Sequence, residues 1–176
     1  RNPSLRWPVP ADLAEHLEGK TIRAVERRAK YLFLHLETGS VIVHLGMSGS
    51  LRVITDDSPA MTHDHVELVL GNHRRLRFND PRRFGCWLWT TDWNRHPLIS
   101  ALGPEPLSEG FNGAWLFRLS RHKQTPVKSF IMDNHVVVGV GNIYANEALF
   151  KAGIHPKRKA GRISLDRYHK LAEAIR

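Results

Sequence analysis

The chain has 176 residues, enough for one large domain or two small ones, each with a core of its own. Lysine and arginine outnumber aspartate and glutamate by 26 to 17, a formal charge of +9, which favours a polyanionic partner without choosing between nucleic acid and membrane surface. The one cysteine, Cys86, excludes an internal disulfide and a cysteine-built zinc cluster, and no apolar run approaches the roughly 18 residues of a membrane span.

Residues 1–20 hold a proline-punctuated lead, Arg6-Trp7-Pro8-Val9-Pro10, and predict a short helix around Ala11–Leu17 that Gly19 can end. Branched and aromatic residues then predict strands over Thr21–Ala29 and Tyr31–Leu36, joined by a hairpin turn at Glu37–Ser40 to Val41–Leu45. Gly46-Met47-Ser48-Gly49 breaks the run before Leu51–Ile54. His63–Leu70 and Arg74–Phe78 form another hairpin, and Cys86–Thr90 adds a strand. Short strands with regular turn signals predict an antiparallel sandwich or barrel.

Composition changes at Leu102-Gly103-Pro104-Glu105-Pro106-Leu107, where two prolines and a glycine in six residues place the domain boundary after residue 104. Helical periods follow. Ala114–His122 is one. Thr125 can cap a second with Pro126 at its first position, and Ile143–Ala152 is a third that ends at Gly153. Ser164 caps the last, whose Leu165, Tyr168, Leu171, Ala172 and Ile175 share a face. The expected class is therefore α+β, a β half over 1–104 and a helical half over 105–176, with a groove at their seam.

Five stretches carry chemistry. Asn79-Asp80-Pro81-Arg82-Arg83-Phe84-Gly85 puts two guanidinium groups and a phenyl ring on a loop tip between strands. Arginine reads phosphate or base edges and an apolar wedge opens a base step; the alternative is a hairpin whose Phe84 folds inward. Gly46–Gly49 presents Met47 as an adaptable apolar side chain, or buries it as a gap filler. Gly139-Val140-Gly141-Asn142 opens a helix, where free N–H groups suit phosphate. The third glycine of a dinucleotide fingerprint is missing, because Tyr144 stands there. His63, His65 and Glu67 alternate on a strand and could converge on a metal; opposite Val66, Leu68 and Leu70 they would point outward, as DNA-facing or hydrogen-bonded groups. Arg28 and Lys30 would share a strand face at phosphate spacing, or form a charged edge strand.

His44–Gly49, Asn79–Gly85, Leu102–Leu107 and Val138–Leu149 together closely resemble formamidopyrimidine-DNA glycosylases, in order and across essentially the whole chain. The resemblance implies a β-sandwich followed by a helical domain with a helix–two-turn–helix element, and double-stranded DNA bound between them. It implies base-excision repair: removal of 8-oxoguanine and formamidopyrimidines by base flipping, followed by AP lyase cleavage through a Schiff base. Carried over by position, Met47, Arg82 and Phe84 would fill the void left by the flipped nucleotide, with Arg82 on the orphaned cytosine and Arg83 as a further DNA contact. Lys30, His63 and Asn142 would hold phosphates, with Tyr144 beside them. Lys128 would lie at the damaged base.

The family's N-terminal Pro-Glu pair and its four-cysteine zinc finger have no counterpart in these residues; Arg1-Asn2-Pro3 is not that start. The chain opens without methionine and ends at Arg176 inside a helical pattern, so it is expected to be a central portion that binds DNA without catalysis, carrying neither catalytic residue nor metal. Zinc would belong to the full-length family. A monomer in the bacterial cytoplasm, near the nucleoid, is expected. Three alternatives stay open: an oxidised-pyrimidine glycosylase of the same superfamily, a non-catalytic DNA-binding module, and a histidine–carboxylate metal enzyme.

Overall fold

The computed structural model describes residues 5–176, so the Arg1-Asn2-Pro3 start lies outside the described residues. Two compact units divide between His96 and Pro97. The sequence placed the boundary after Pro104. The difference has a local cause: the Gly103 amide donates to the Asn134 carbonyl at 2.8 Å and the Val138 amide to the Pro104 carbonyl at 3.2 Å, which ties this segment into the helical unit.

The first unit holds helix α1 (Leu13–Leu17) and strands β1 (Ala24–Arg28), β2 (Tyr31–His35), β3 (Ser40–His44), β4 (Ser50–Ile54), β5 (Asp64–Val69), β6 (Arg75–Asn79) and β7 (Cys86–Thr90). They form two antiparallel sheets, ordered β1-β2-β3-β7 and β4-β6-β5. Alternation decides what each strand buries. Leu34 and Leu36, Val41 and Val43, and Trp87 of the first sheet meet Phe78, Leu51, Val66, Leu68 and Leu76 of the second in one core. The opposite face of the first sheet buries Phe33 and Ile42, and Phe33 packs on Trp93 with ring centroids 4.6 Å apart. β1 is an edge strand, and it ends at Arg28; Ala29 and Lys30 form a two-residue turn, with Ala29 at φ 57°. Arg28 and Lys30 therefore do not share a strand face, because the hairpin register pairs Arg28 with Tyr31.

The helical unit comprises α2 (Pro97–Ser100), α3 (Gly113–Ser120), α4 (Val127–Ile131), α5 (Asn142–Lys151) and α6 (Leu165–Ile175). Its core gathers Phe111, Leu116, Phe130, Ile131, Leu149 and Tyr168. Asn112 caps α3, accepting from the Trp115 amide at 2.9 Å. The expected Thr125 cap is not made: Pro126 occupies the N-cap of α4, and the Thr125 carbonyl instead accepts from the Ala160 amide at 2.9 Å. Ser164 holds the N-cap position of α6 without a side-chain bond. Gly153 at φ 64° ends α5, where the Ile154 amide reaches back to the Leu149 carbonyl. No helix among the described residues is long and apolar enough to cross a membrane.

Candidate nucleic-acid interface

Strand register brings four separate stretches to one end of the sandwich. The Met47 loop leaves β3 at His44 and enters β4 at Ser50; the Arg82–Phe84 loop leaves β6 at Asn79 and enters β7 at Cys86. His44 pairs with Cys86 and Ser50 pairs with Asn79. Both loops thus cross between the same two sheets, side by side. Tyr31 pairs with His44, which brings the Lys30 turn to that end, and Asp64 pairs with Asn79, which brings His63. Residues far apart in sequence share an edge because the ladders leave no other choice.

The two loops are packed backbone to backbone. A Cβ on Gly46 (φ +66°) would stand 2.6 Å from the Phe84 carbonyl carbon and 2.7 Å from the Gly85 nitrogen, so only glycine allows this approach. Asp80 locks the arrangement from inside. It is fully buried, and its carboxylate accepts from the Ser48 hydroxyl and from the Gly85 amide, each at 2.8 Å. Its carbonyl accepts from His65 Nε2 at 2.9 Å, and its amide donates to the His63 carbonyl at 3.0 Å. One residue thus ties the methionine loop, the arginine loop and the histidine turn together. The sequence marks Asp80 only as a turn former, gives Ser48 and His44 no role of their own, and offers His65 as a metal ligand or outward-facing group rather than as a partner of the Asp80 carbonyl. The available signal was a carboxylate in a turn whose next residues are basic.

What the lock presents is apolar and cationic. Met47 is 73% exposed and Phe84 45% exposed, against their being packed as core side chains. The Arg82 guanidinium lies 5.4 Å from the Phe84 ring centroid, a cation–π distance. Arg83 takes a left-handed backbone at φ 58°, and His63 does so at φ 73°. Beneath them a cavity of about 500 Å³ is lined by Arg6, His44, Gly46, Met47, Arg83 and Phe84. His44 Nδ1 accepts from the Gly46 amide at 2.9 Å, which places the ring proton on Nε2. Burial first, then the charges of Arg6 and Lys30, hold His44 below its ordinary pKa. Burial pushes the Cys86 thiol up to about 11, so it stays protonated and unreactive.

The expected outward face of His63, His65 and Glu67 does not form. A bulge between Asp64 and Val66 breaks the alternation. His65 turns inward to the Asp80 carbonyl, and Glu67 is covered and paired with Arg77 Nε at 2.7 Å. Buried Arg77 also donates to the Ser58 and Pro59 carbonyls, at 2.8 and 3.0 Å. His63 alone of the three stays exposed, and no cluster of three metal-ligating side chains occurs among the described residues. The chain's one cysteine cannot furnish a four-thiolate zinc site either.

The other three candidates belong to the helical unit. Asn142 opens α5 after Gly141 at the N-cap, with no side chain capping the first turn. The leading amides of a helix have no partner within it, so this end suits an anion. Tyr144 is exposed beside it, and Lys128, half-buried, is the second residue of α4.

Both halves of the chain have known relatives. Residues 1–87 match the formamidopyrimidine-DNA glycosylase N-terminal domain, and residues 102–176 match the formamidopyrimidine-DNA glycosylase H2TH domain. The chain is 99% identical over 176 residues to the formamidopyrimidine-DNA glycosylase of Marinobacter nauticus, and it is 57% identical to that of Stenotrophomonas maltophilia. In both cases it spans 65% of the relative's length. Among solved structures, Lactococcus lactis formamidopyrimidine-DNA glycosylase bound to AP-site DNA aligns at 32% identity and a TM-score of 0.85, covering 92% of this chain and 63% of that one. The same enzyme with Fapy-dG DNA aligns at 32% identity and a TM-score of 0.86, covering 93% and 63%. With an N-terminal sandwich and an H2TH domain both matched in order, the chain belongs to the formamidopyrimidine-DNA glycosylase family.

Proposed function

We propose that this chain is the lesion-finding and DNA-holding part of a base-excision glycosylase that removes oxidised purines, 8-oxoguanine and formamidopyrimidines, from double-stranded DNA. The observation that carries the reading is the Asp80 lock, which presents Met47 and the Arg82–Phe84 pair together at one edge of the sandwich. A glycosylase must take its target base out of the stack, and something must occupy the hole. Met47 and Phe84 supply apolar wedges, and Arg82 supplies donors for the base left without a partner. Lys30, His63 and Asn142, with Tyr144 alongside, hold phosphates around the lesion, Arg83 adds a contact, and Lys128 serves the damaged base. None of these residues breaks a bond; they bind, unstack and hold. Support comes from the relatives' names and from the Lactococcus lactis enzyme, whose structures hold AP-site and Fapy-dG DNA.

The whole enzyme is read as a glycosylase and AP lyase acting as a monomer in the bacterial cytoplasm, on the nucleoid, with structural zinc carried outside these residues. Borohydride trapping tests the lyase assignment. The full-length Marinobacter nauticus relative should form a covalent adduct on an 8-oxoguanine duplex and none on undamaged DNA. No adduct on either duplex would defeat it. Faster release of oxidised pyrimidines than of 8-oxoguanine would move the chain to the sister branch.

A further inference from the structure

A second cationic surface lies on the helical unit. Residues 110–132 contain Arg118, Arg121, Lys123 and Lys128 and no carboxylate; residues 148–165 contain Lys151, Lys157, Arg158, Lys159 and Arg162 and no carboxylate. Backbone bonds place parts of these two acid-free segments side by side. The Gly161 amide donates to the Lys123 carbonyl at 3.0 Å, the Ala160 amide to Thr125 at 2.9 Å, and the Val127 amide to the Arg158 carbonyl at 2.7 Å. Pro126 and Lys159 form an antiparallel bridge. The result is a short two-stranded ladder whose Lys123, Lys157, Arg158, Lys159 and Arg162 are all exposed.

None of those five forms an ion pair among the described residues. Asp133, whose carboxylate feels Lys123, is bonded to His135 at 2.7 Å. A solvated charge run ordinarily carries interspersed acids or is mobile; this one is unneutralised and held by a backbone ladder. It is also continuous with a residue of the proposed interface. The Lys128 amide donates to the Pro156 carbonyl at 3.2 Å, so the basic ladder begins beside Lys128.

We infer that this ladder is a second phosphate-binding surface, for duplex DNA flanking the lesion rather than for the lesion itself. The inference rests on the DNA-repair reading above. A duplex presents one negative charge per roughly 1.7 Å of axis, so a fixed row of cations beside the lesion contacts meets further phosphates as the duplex continues. The contacts carry no sequence information; they add affinity and lengthen the footprint.

The test uses the full-length Marinobacter nauticus relative with alanine at the positions matching Lys123, Lys157 and Lys159. Backbone bonds of the ladder survive these changes, and an unchanged melting temperature and excision rate at saturating DNA confirm an intact enzyme. Affinity is measured against salt on a long lesion duplex and on one trimmed to the lesion's neighbours. On the long duplex the log–log slope should become shallower by about 2–3, at roughly 0.9 per lost contact, while the short duplex stays unchanged. An unchanged slope on the long duplex overturns the inference, and so does an equal loss on both. If the unsubstituted enzyme shows no lesion preference, the repair reading fails first, and that outcome is read from a different protein in the same experiment.

Discussion

Asp80 and Ser48 meet at 2.8 Å between two loops separated by 32 residues, with the Gly85 amide on the carboxylate's other oxygen at the same distance. The Met47 loop and the Phe84 loop are therefore tied to each other through one carboxylate. Removing the carboxylate with Asp80→Ala strands a buried amide and releases the serine. It should destabilise the β unit by about 2–4 kcal/mol in urea unfolding. Ser48→Ala is the gentler probe, costing about 1–2 kcal/mol. It should lower binding to lesion DNA several-fold while leaving undamaged-duplex binding unchanged. Equal losses on the two duplexes would reduce Asp80 to a packing residue.

The same loop junction makes a sharp claim about Gly46. An alanine there meets Phe84 and Gly85 backbone at 2.6–2.7 Å and must also adopt φ +66°. Gly139 offers the control, since its φ is +81° but a Cβ would find nothing within 4 Å. Gly139→Ala should therefore cost only the left-handed penalty, about 1–2 kcal/mol. Gly46→Ala should cost that and at least as much again from the clash, and paired denaturation curves would show the difference. Similar midpoints for the two variants would mean that the loops are not in contact.

Much of this site was legible before any fold was known, and the boundary of legibility is physical. Strand spans come from branched and aromatic runs such as Tyr31–Leu36 and Val41–Leu45, which are apolar on both faces because both faces of this sheet are covered. Loop tips are marked by glycine and proline, so Met47 and Arg82–Phe84 stood out. What the residues could not reveal is register, because it depends on pairing partners distant in sequence. Without His44 opposite Cys86 and Ser50 opposite Asn79, nothing says that the two loops touch. The bulge between Asp64 and Val66 was equally hidden, and it turns His65 inward, while Glu67 keeps the face opposite Val66 and Leu68 and is covered there by Arg77. The Lys30 turn was misread as strand because alanine carries no turn signal.

His44 gives the fold a pH dependence with a defined sign. Burial, then Arg6 and Lys30, lower its pKa from the ordinary 6.5, and protonation would also displace the Gly46 amide from Nδ1. Between 6.5 and the lowered value, the unfolded chain is protonated and the folded one is not. Stability is thus full above that window and falls as pH drops through it. Burial lowers His96 in the same sense. His44→Gln should flatten part of the loss without abolishing it, as read by urea midpoints across the window. A variant profile parallel to the parent's would remove His44 from the account.

Arg77 and Glu67 form the buried pair that displaced the metal reading. The guanidinium is nearly inaccessible, and besides Glu67 it holds the carbonyls of Ser58 and Pro59. Removing Glu67 breaks a charge-assisted hydrogen bond and leaves Arg77 with the buried Asp64 carboxylate 3.7 Å away, so Glu67→Ala should cost about 1.5–3 kcal/mol. A surface ligand in a metal site would behave otherwise. Its loss would leave apo stability nearly unchanged, and a fall below about 1 kcal/mol would reopen the metal reading.

Phe84 and Met47 divide the wedge between two loops, and that division can be measured. Both side chains are exposed, and only Phe84 has a cation over its ring, Arg82 at 5.4 Å. An aromatic stacked on a base contributes about 1–3 kcal/mol by alanine substitution. A flexible thioether makes no comparable stack. Phe84→Ala should therefore slow base flipping by roughly 5- to 150-fold, the same energy written as a rate. Stopped-flow fluorescence of 2-aminopurine beside the lesion would report it. Met47→Ala should fall short of that, and its main effect should be on the lifetime of the flipped state, because a plug is needed only once the hole exists. Removing both gives the sharper test. If the two act on one gap as a unit, the double variant should lose less than the product of the single losses, since removing either one already opens the gap. Strict additivity would place them at separate points on the duplex and dismantle the shared wedge that the Asp80 lock implies.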